Sequence, residues 1–142
     1  MDNMVKKQGF FVPADTPQVS PHPQESKELL YNRIIIRFIK LVMKGQGLKL
    51  YVFGSENIPT TGGALLAVNH TGYYDFILGG IPSHLRGKRL TRFMAKKEIF
   101  DTPVVGQLMR GMSHIPVNRA KGAGSLDNAV QRLQQGQLVG IF

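Results

Sequence analysis

The stretch ALLAVNHTGYYDF, residues 64–76, joins a wholly apolar run to an abrupt polar break. Ala64 to Val68 is too short for a helix and follows Gly62 and Gly63, so it is expected to be a buried strand. Its exit carries Asn69 and His70, and Asp75 lies five residues beyond the histidine. In one continuous helix, residues five apart point about 140° away from each other. Across a strand-to-helix corner they can meet, and Gly72 supplies the backbone freedom for such a corner. Asp75, in the first turn of the next helix, would then accept a hydrogen bond from one ring nitrogen of His70. That bond fixes the tautomer and stabilises the imidazolium formed when the other nitrogen takes a proton. A substrate hydroxyl would supply the proton, so no serine or cysteine nucleophile is required. By itself His-x4-Asp is a weak signal, because a loop histidine is more often a surface residue than a base.

Composition narrows the classes. The chain has 142 residues, enough for one domain at most, with 18 Lys and Arg against 9 Asp and Glu, a net charge of +9. That balance favours anionic partners such as phosphorylated metabolites, anionic lipid surfaces or nucleic acid. With no cysteine, disulfides, thiol catalysis and thiolate metal sites are excluded. A metal site would have to be assembled from His70, His84, His114 and Asp75, which lack paired ligand spacing, so no metal is expected. No run reaches the roughly 18 to 20 apolar residues of a spanning helix.

Residues 1–25 are rich in proline and polar side chains and are expected to be a disordered tail. Residues 26–45 form the clearest helix, ended by Gly45 and Gly47. Its bases Arg33, Arg37, Lys40 and Lys44 recur at spacings of four, three and four, which is one helical stripe. Ile34, Ile35, Phe38, Leu41, Val42 and other apolar residues fill a wide arc beside it, a pattern suited to the headgroup region of a membrane. A core helix with a solvated basic face has the same pattern. Downstream, strands are expected over 48–54, 64–68, 90–95, 114–117 and 137–142. Helices are expected over 74–80, 103–109 and 125–135, the last capped by Ser125 and stopped by Gly136. Residues 82–89 read as a basic loop and 96–100 as a connector. Alternating strands and helices predict an α/β fold with a mixed sheet flanked by helices.

NHTGYYD (Asn69–Asp75) resembles the NHx4D block of the glycerolipid acyltransferases, in particular the 1-acylglycerol-3-phosphate acyltransferases that make phosphatidic acid. FMAKKEIF (Phe93–Phe100), GMSHIPVNRAKG (Gly111–Gly122) and GQLVGIF (Gly136–Phe142) resemble later segments of the same family, in the same order. The resemblance covers residues 48–142, which would be the N-terminal part of an acyltransferase domain of the glycerol-3-phosphate acyltransferase type, incomplete at its C-terminus. It implies that His70 is the general base, oriented by Asp75, with Asn69 as a supporting polar residue. Arg119 would grip the acceptor phosphate, and Lys96 and Lys97 would assist at phosphate or coenzyme A. The implied co-substrate is acyl-CoA or acyl carrier protein, with no cofactor, and the acceptor is lysophosphatidate. The amphipathic helix would then hold the site at an anionic membrane surface, peripherally on the cytoplasmic face. Asn118 and His114 stand where many members have Asp and Phe, and the family's Pro-Glu-Gly-Thr block does not follow Phe142. A poorly active, marginally stable 142-residue product is therefore expected.

Three rivals remain. A basic nucleic-acid module fits the charge, but its aromatics are few and not interleaved with bases, so no nucleic acid is expected. A hydrolase using Ser113 with His114 lacks a nucleophile elbow, and adjacent residues pair poorly. A non-catalytic lipid-surface protein differs from the enzyme only in needing no His70.

Overall fold

The computed structural model describes residues 3–69, 78–118, 120 and 122–142. The chain divides into two compact units, Met1–Thr60 with Gly80–Leu90, and Thr61–Gly79 with Thr91–Phe142. The division runs through the span 48–142, because residues 48–60 and 80–90 belong with the N-terminal unit.

The first unit begins where a disordered tail was expected. Instead β1 (Met4–Lys7) and β2 (Phe10–Pro13) pair antiparallel. Gln8 and Gly9, both at positive φ (54° and 89°), make the two-residue turn that matches strand twist. Phe10 and Val12 alternate inward and are buried, which the proline-rich composition concealed. Residues 48–54, expected as an alternating strand, make among the described residues only one parallel bridge, Tyr51 to Phe11 of β2. Phe11 N–H donates to Leu50 O and Val52 N–H to Phe11 O, both at 2.8 Å, and the Phe11 and Tyr51 rings stack 5.0 Å apart. Leu48, Tyr51 and Phe53 remain exposed, so this alternation does not face a core.

The long helix forms as expected but opens with wide turns. Leu29–Ile35 is π-helical, with Arg33 N–H bonding the Glu28 carbonyl five residues back, before α1 (Ile36–Gly45) tightens to the ordinary pitch. Nothing on α1 is fully buried. Residues 82–89, read as a loop, carry most of the short helix α2 (Ile81–His84) and three buried side chains, Ser83, His84 and Arg89.

A buried ion pair ties the 20s to the 80s within this unit. Arg89 Nη2 lies 3.5 Å from Glu25 Oε2, with both side chains almost wholly inaccessible. Glu25 Oε1 also accepts from Leu90 N–H at 2.8 Å, and Arg89 donates to Pro59 O at 2.8 Å. Asn32 spans the same seam, donating to Glu25 O and Lys88 O.

In the second unit, β3 (Ala64–Ala67), β4 (Thr91–Lys96), β5 (Ile115–Val117) and β6 (Leu138–Ile141) form one sheet in the order β3-β6-β4-β5. Its three pairings are all parallel, the parallel part of the expected α/β architecture. Between the strands lie α3 (Lys97–Phe100), α4 (Val105–Gly111) and α5 (Gly122–Gln134). Ile115 and Val139 on the sheet and Ala129 on α5 form a buried cluster, with Met94 and Leu133 against it. On β6, Leu138, Val139 and Gly140 are all buried, the continuous burial typical of a parallel sheet covered on both faces. Gly140 faces the ring of Phe93, where a Cβ would stand 2.5 Å from Cδ1. The open space lets Phe93 lie flat, and Phe142 stacks on it at 5.4 Å. Ser125 is not a helix cap, because α5 already runs from Gly122.

Removing one partner of a buried ion pair strands the other charge, at a cost of about 3 kcal/mol or more. Glu25→Ala should therefore lower unfolding free energy by roughly that amount in urea titrations followed by circular dichroism. An unchanged midpoint would show that the Arg89 pairing does not hold the N-terminal segment.

Candidate active site

Parallel strands end on the same edge, and of the residues singled out in the sequence Asn69, Lys96 and Lys97 are described there. β3 delivers the chain to Asn69, which is exposed. Pairing with β6 persists one residue past the strand, through Val68 N–H to Ile141 O at 2.8 Å. β4 ends on Lys96, and Lys97 opens α3, both side chains being exposed. β5 ends on Val117 and leads through Asn118 to position 119. His70, Asp75 and Arg119 themselves lie outside the described residues, as does most of the helix expected over 74–80. In the strand order, β4 lies two positions from β3, and β5 three. At about 4.8 Å per strand, the ends leading to residues 70 and 96 are about 10 Å apart, and those leading to 70 and 119 about 14 Å. In open α/β sheets, ligands bind at this carboxyl edge.

The segment after β5 is held from both sides. Asn118 Oδ1 accepts from Ala120 N–H two residues on, at 3.0 Å. The Ser125 hydroxyl donates to Pro116 O and accepts from Asn118 N–H, each at 3.2 Å. An aspartate at 118 could accept the same bond, since the acceptor is a side-chain oxygen. Sequence analysis missed both roles, although Asn two residues before a loop amide is a recognisable turn signal.

His114, just before β5, is structural. Its ring is buried, and Nδ1 accepts from Phe93 N–H at 2.9 Å, so Nε2 carries the proton. Burial, then the nearby Arg92 and Arg132 charges, lower its pKa to about 3. Arg92 donates to Met112 O at 2.8 Å and Arg132 to Ser113 O at 2.9 Å, pinning the turn in front of β5. With its ring committed to a backbone amide, His114 is not the base for a Ser113 nucleophile. Among the described residues, no three His, Asp or Glu side chains could hold a metal ion.

Residues 49–142 match the profile of the Acyltransferase family, two thirds of the chain, and the chain belongs to that family. It is 30% identical over 108 residues to the 1-acyl-sn-glycerol-3-phosphate acyltransferase of Bacillus subtilis, covering 73% of this chain and 51% of that one. It is 31% identical over 117 residues to an uncharacterised protein of Mycobacterium leprae, covering 79% of this chain and 30% of the relative. A Mycobacterium tuberculosis protein is 28% identical over 116 residues, again covering 30% of its length. The chain thus spans about half the length of the Bacillus relative and less of the mycobacterial ones. No solved structure matches it.

A histidine held neutral in the fold but protonated when unfolded opposes folding in acid. The unfolded state binds more protons between pH 6.5 and about 3, so stability rises with pH across that window and is fully present above it. His114→Asn keeps an acceptor for Phe93 N–H without the titration. Between pH 7 and about pH 4 the variant should lose less unfolding free energy than the parent, by at most about 1.4 kcal/mol per pH unit. Parallel loss in urea titrations would refute this role.

Proposed function

We propose that this chain carries the catalytic base of an enzyme that moves an acyl group from a thioester to the free hydroxyl of 1-acylglycerol 3-phosphate, yielding phosphatidic acid. What supports this reading most is the shared edge of the parallel sheet, where the segments leading into residues 70, 96–97 and 119 emerge together. The printed name of the Bacillus relative supports the choice of acceptor.

In the proposed reaction His70 removes the hydroxyl proton while Asp75 orients the ring and stabilises the imidazolium. The oxygen attacks the thioester carbonyl of acyl-CoA or acyl carrier protein. The tetrahedral adduct then collapses, the C–S bond breaks, and the leaving thiolate recovers the proton from the imidazolium. Acid and base balance, and neither metal nor redox cofactor is required. Arg119 binds the acceptor phosphate through its planar fork. Lys96 and Lys97 meet phosphate or coenzyme A, with Asn69 at the turn.

The amphipathic helix brings this site to anionic lipid, peripherally and on the cytoplasmic face. Ile34, Phe38 and Leu41 leave 49%, 62% and 67% of their surface exposed, beside the exposed Arg33, Arg37 and Lys44. No helix of the described residues is long and apolar enough to cross a membrane. Nucleic acid is not a proposed partner.

His70→Ala should abolish release of coenzyme A thiol in the presence of acyl-CoA and lysophosphatidate, yet leave binding to anionic vesicles intact. The measurement is made on the chain itself and on a chimera completed with the remaining half of the Bacillus relative. Persistent transfer by the chimera lacking His70 would overturn the assignment. Separately, reversing the charges of Arg33 and Arg37 should weaken sedimentation with anionic vesicles about tenfold or more, near 1 kcal/mol per charge. Undiminished binding would remove the helix from the membrane.

A further inference from the structure

Behind the amphipathic helix, wholly within the first unit, lies a cavity of about 570 Å³. Five cations line it: Lys27, Arg33, Arg37, Lys40 and Lys88. No Asp or Glu is among its walls, and among the described residues none of the five cations is in an ion pair. Like charges gathered without a counter-charge repel, and a fold retains such a group at a cost unless an anion offsets it.

The inner wall shows that strain. Lys40 Nζ lies 2.7 Å from His84 Nε2, and His84 is 3% exposed. Burial, then Lys40 and Lys88, hold the imidazole neutral, with its pKa near 3, so Nε2 accepts from the ammonium and the proton sits on Nδ1. That Nδ1 is buried and has no hydrogen-bond partner among the described residues. Lys40 itself titrates low, at about 8, through burial and then the charges of Lys88 and Arg37. Lys88 is held at φ +58, left-handed backbone that a lysine enters only when its surroundings impose it. Its carbonyl is fixed there by Asn32 Nδ2 at 2.8 Å. The Lys88 backbone is thus fixed across the seam.

We propose that this cavity is a phosphate-binding site, with Lys40 and Lys88 as its inner donors and Arg33, Arg37 and Lys27 at its rim. A tetrahedral dianion takes several charge-assisted hydrogen bonds at once, and the arginine forks suit its oxygens. The group could be a lipid headgroup phosphate or a free phosphate ester, and the helix's exposed apolar arc speaks for the lipid. The site goes beyond the acyl-transfer reading and uses none of the residues assigned to that chemistry.

The test measures binding of inorganic phosphate and of glycerol 3-phosphate by calorimetry, and follows the Lys40 amine by NMR as pH is varied. Phosphate should raise the Lys40 titration from about 8 toward the 10.5 of an ordinary lysine. Lys88→Gln and the exposed rim variant Arg37→Gln should each weaken binding about tenfold, with unchanged circular dichroism. Lys44→Gln, on the same helix but outside the cavity, should leave it unchanged. A Lys40 titration indifferent to phosphate, or equal losses in Lys44→Gln and Lys88→Gln, would overturn the site in favour of diffuse charge. Vesicles of phosphatidylcholine with and without phosphatidic acid separate the sources. If inorganic phosphate displaces the protein from phosphatidic-acid vesicles, the natural occupant is a headgroup. If vesicle binding is unaffected while free phosphate still binds, it is a soluble ester. No acyl-transfer measurement enters, so failure here and failure of the catalytic reading are separable.

Discussion

Strand β6 pairs on both of its edges, with β3 on one side and β4 on the other. Without it the two strands would share no ladder, and the ends that carry residues 69 and 96 would have no common edge. Because β3 and β6 stand far apart in sequence, this contact closes over a long loop. Gly140 makes the closure possible. Any larger residue would push against the Phe93 ring, which lies between two strands and beneath Phe142. The geometry of the candidate active site is thus set by a glycine and two aromatic rings, not by the polar residues at the rim.

Each unit buries one arginine, Arg89 and Arg92, and half-buried Arg132 joins them in spending donors on carbonyl oxygens. Arg89 reaches Pro59 O, Arg92 reaches Met112 O, and Arg132 reaches Ser113 O. Backbone carbonyls left over where strands and turns end need donors, and a guanidinium supplies several from one side chain. Part of the +9 net charge is therefore structural. The cations of the amphipathic helix differ, since among the described residues none of their side chains donates to a backbone carbonyl or pairs with a carboxylate. That difference separates positive charge that builds the fold from positive charge available to a partner.

The sequence by itself determined the α/β class, because apolar runs between glycine and proline breaks leave few alternatives to strands, although β3 is not the buried strand expected and leaves Leu65 55% exposed. Four of the expected strands and the helices at 26–45, 103–109 and 125–135 appear within a few residues of their expected bounds. The candidate site residues came from the resemblance of ordered motifs to a family, since His-x4-Asp spacing is by itself a weak signal. Only the tertiary structure decided what each polar residue does. Ser125 looked like a cap and holds a loop; Glu25 looked like tail and anchors a buried arginine; His114 stands in the third family-like block and proves to be a neutral acceptor. Local pattern records which way a side chain faces relative to its own element. A carboxylate at 25 and a guanidinium at 89 become partners only through the packing of segments more than sixty residues apart, and no periodicity carries that information.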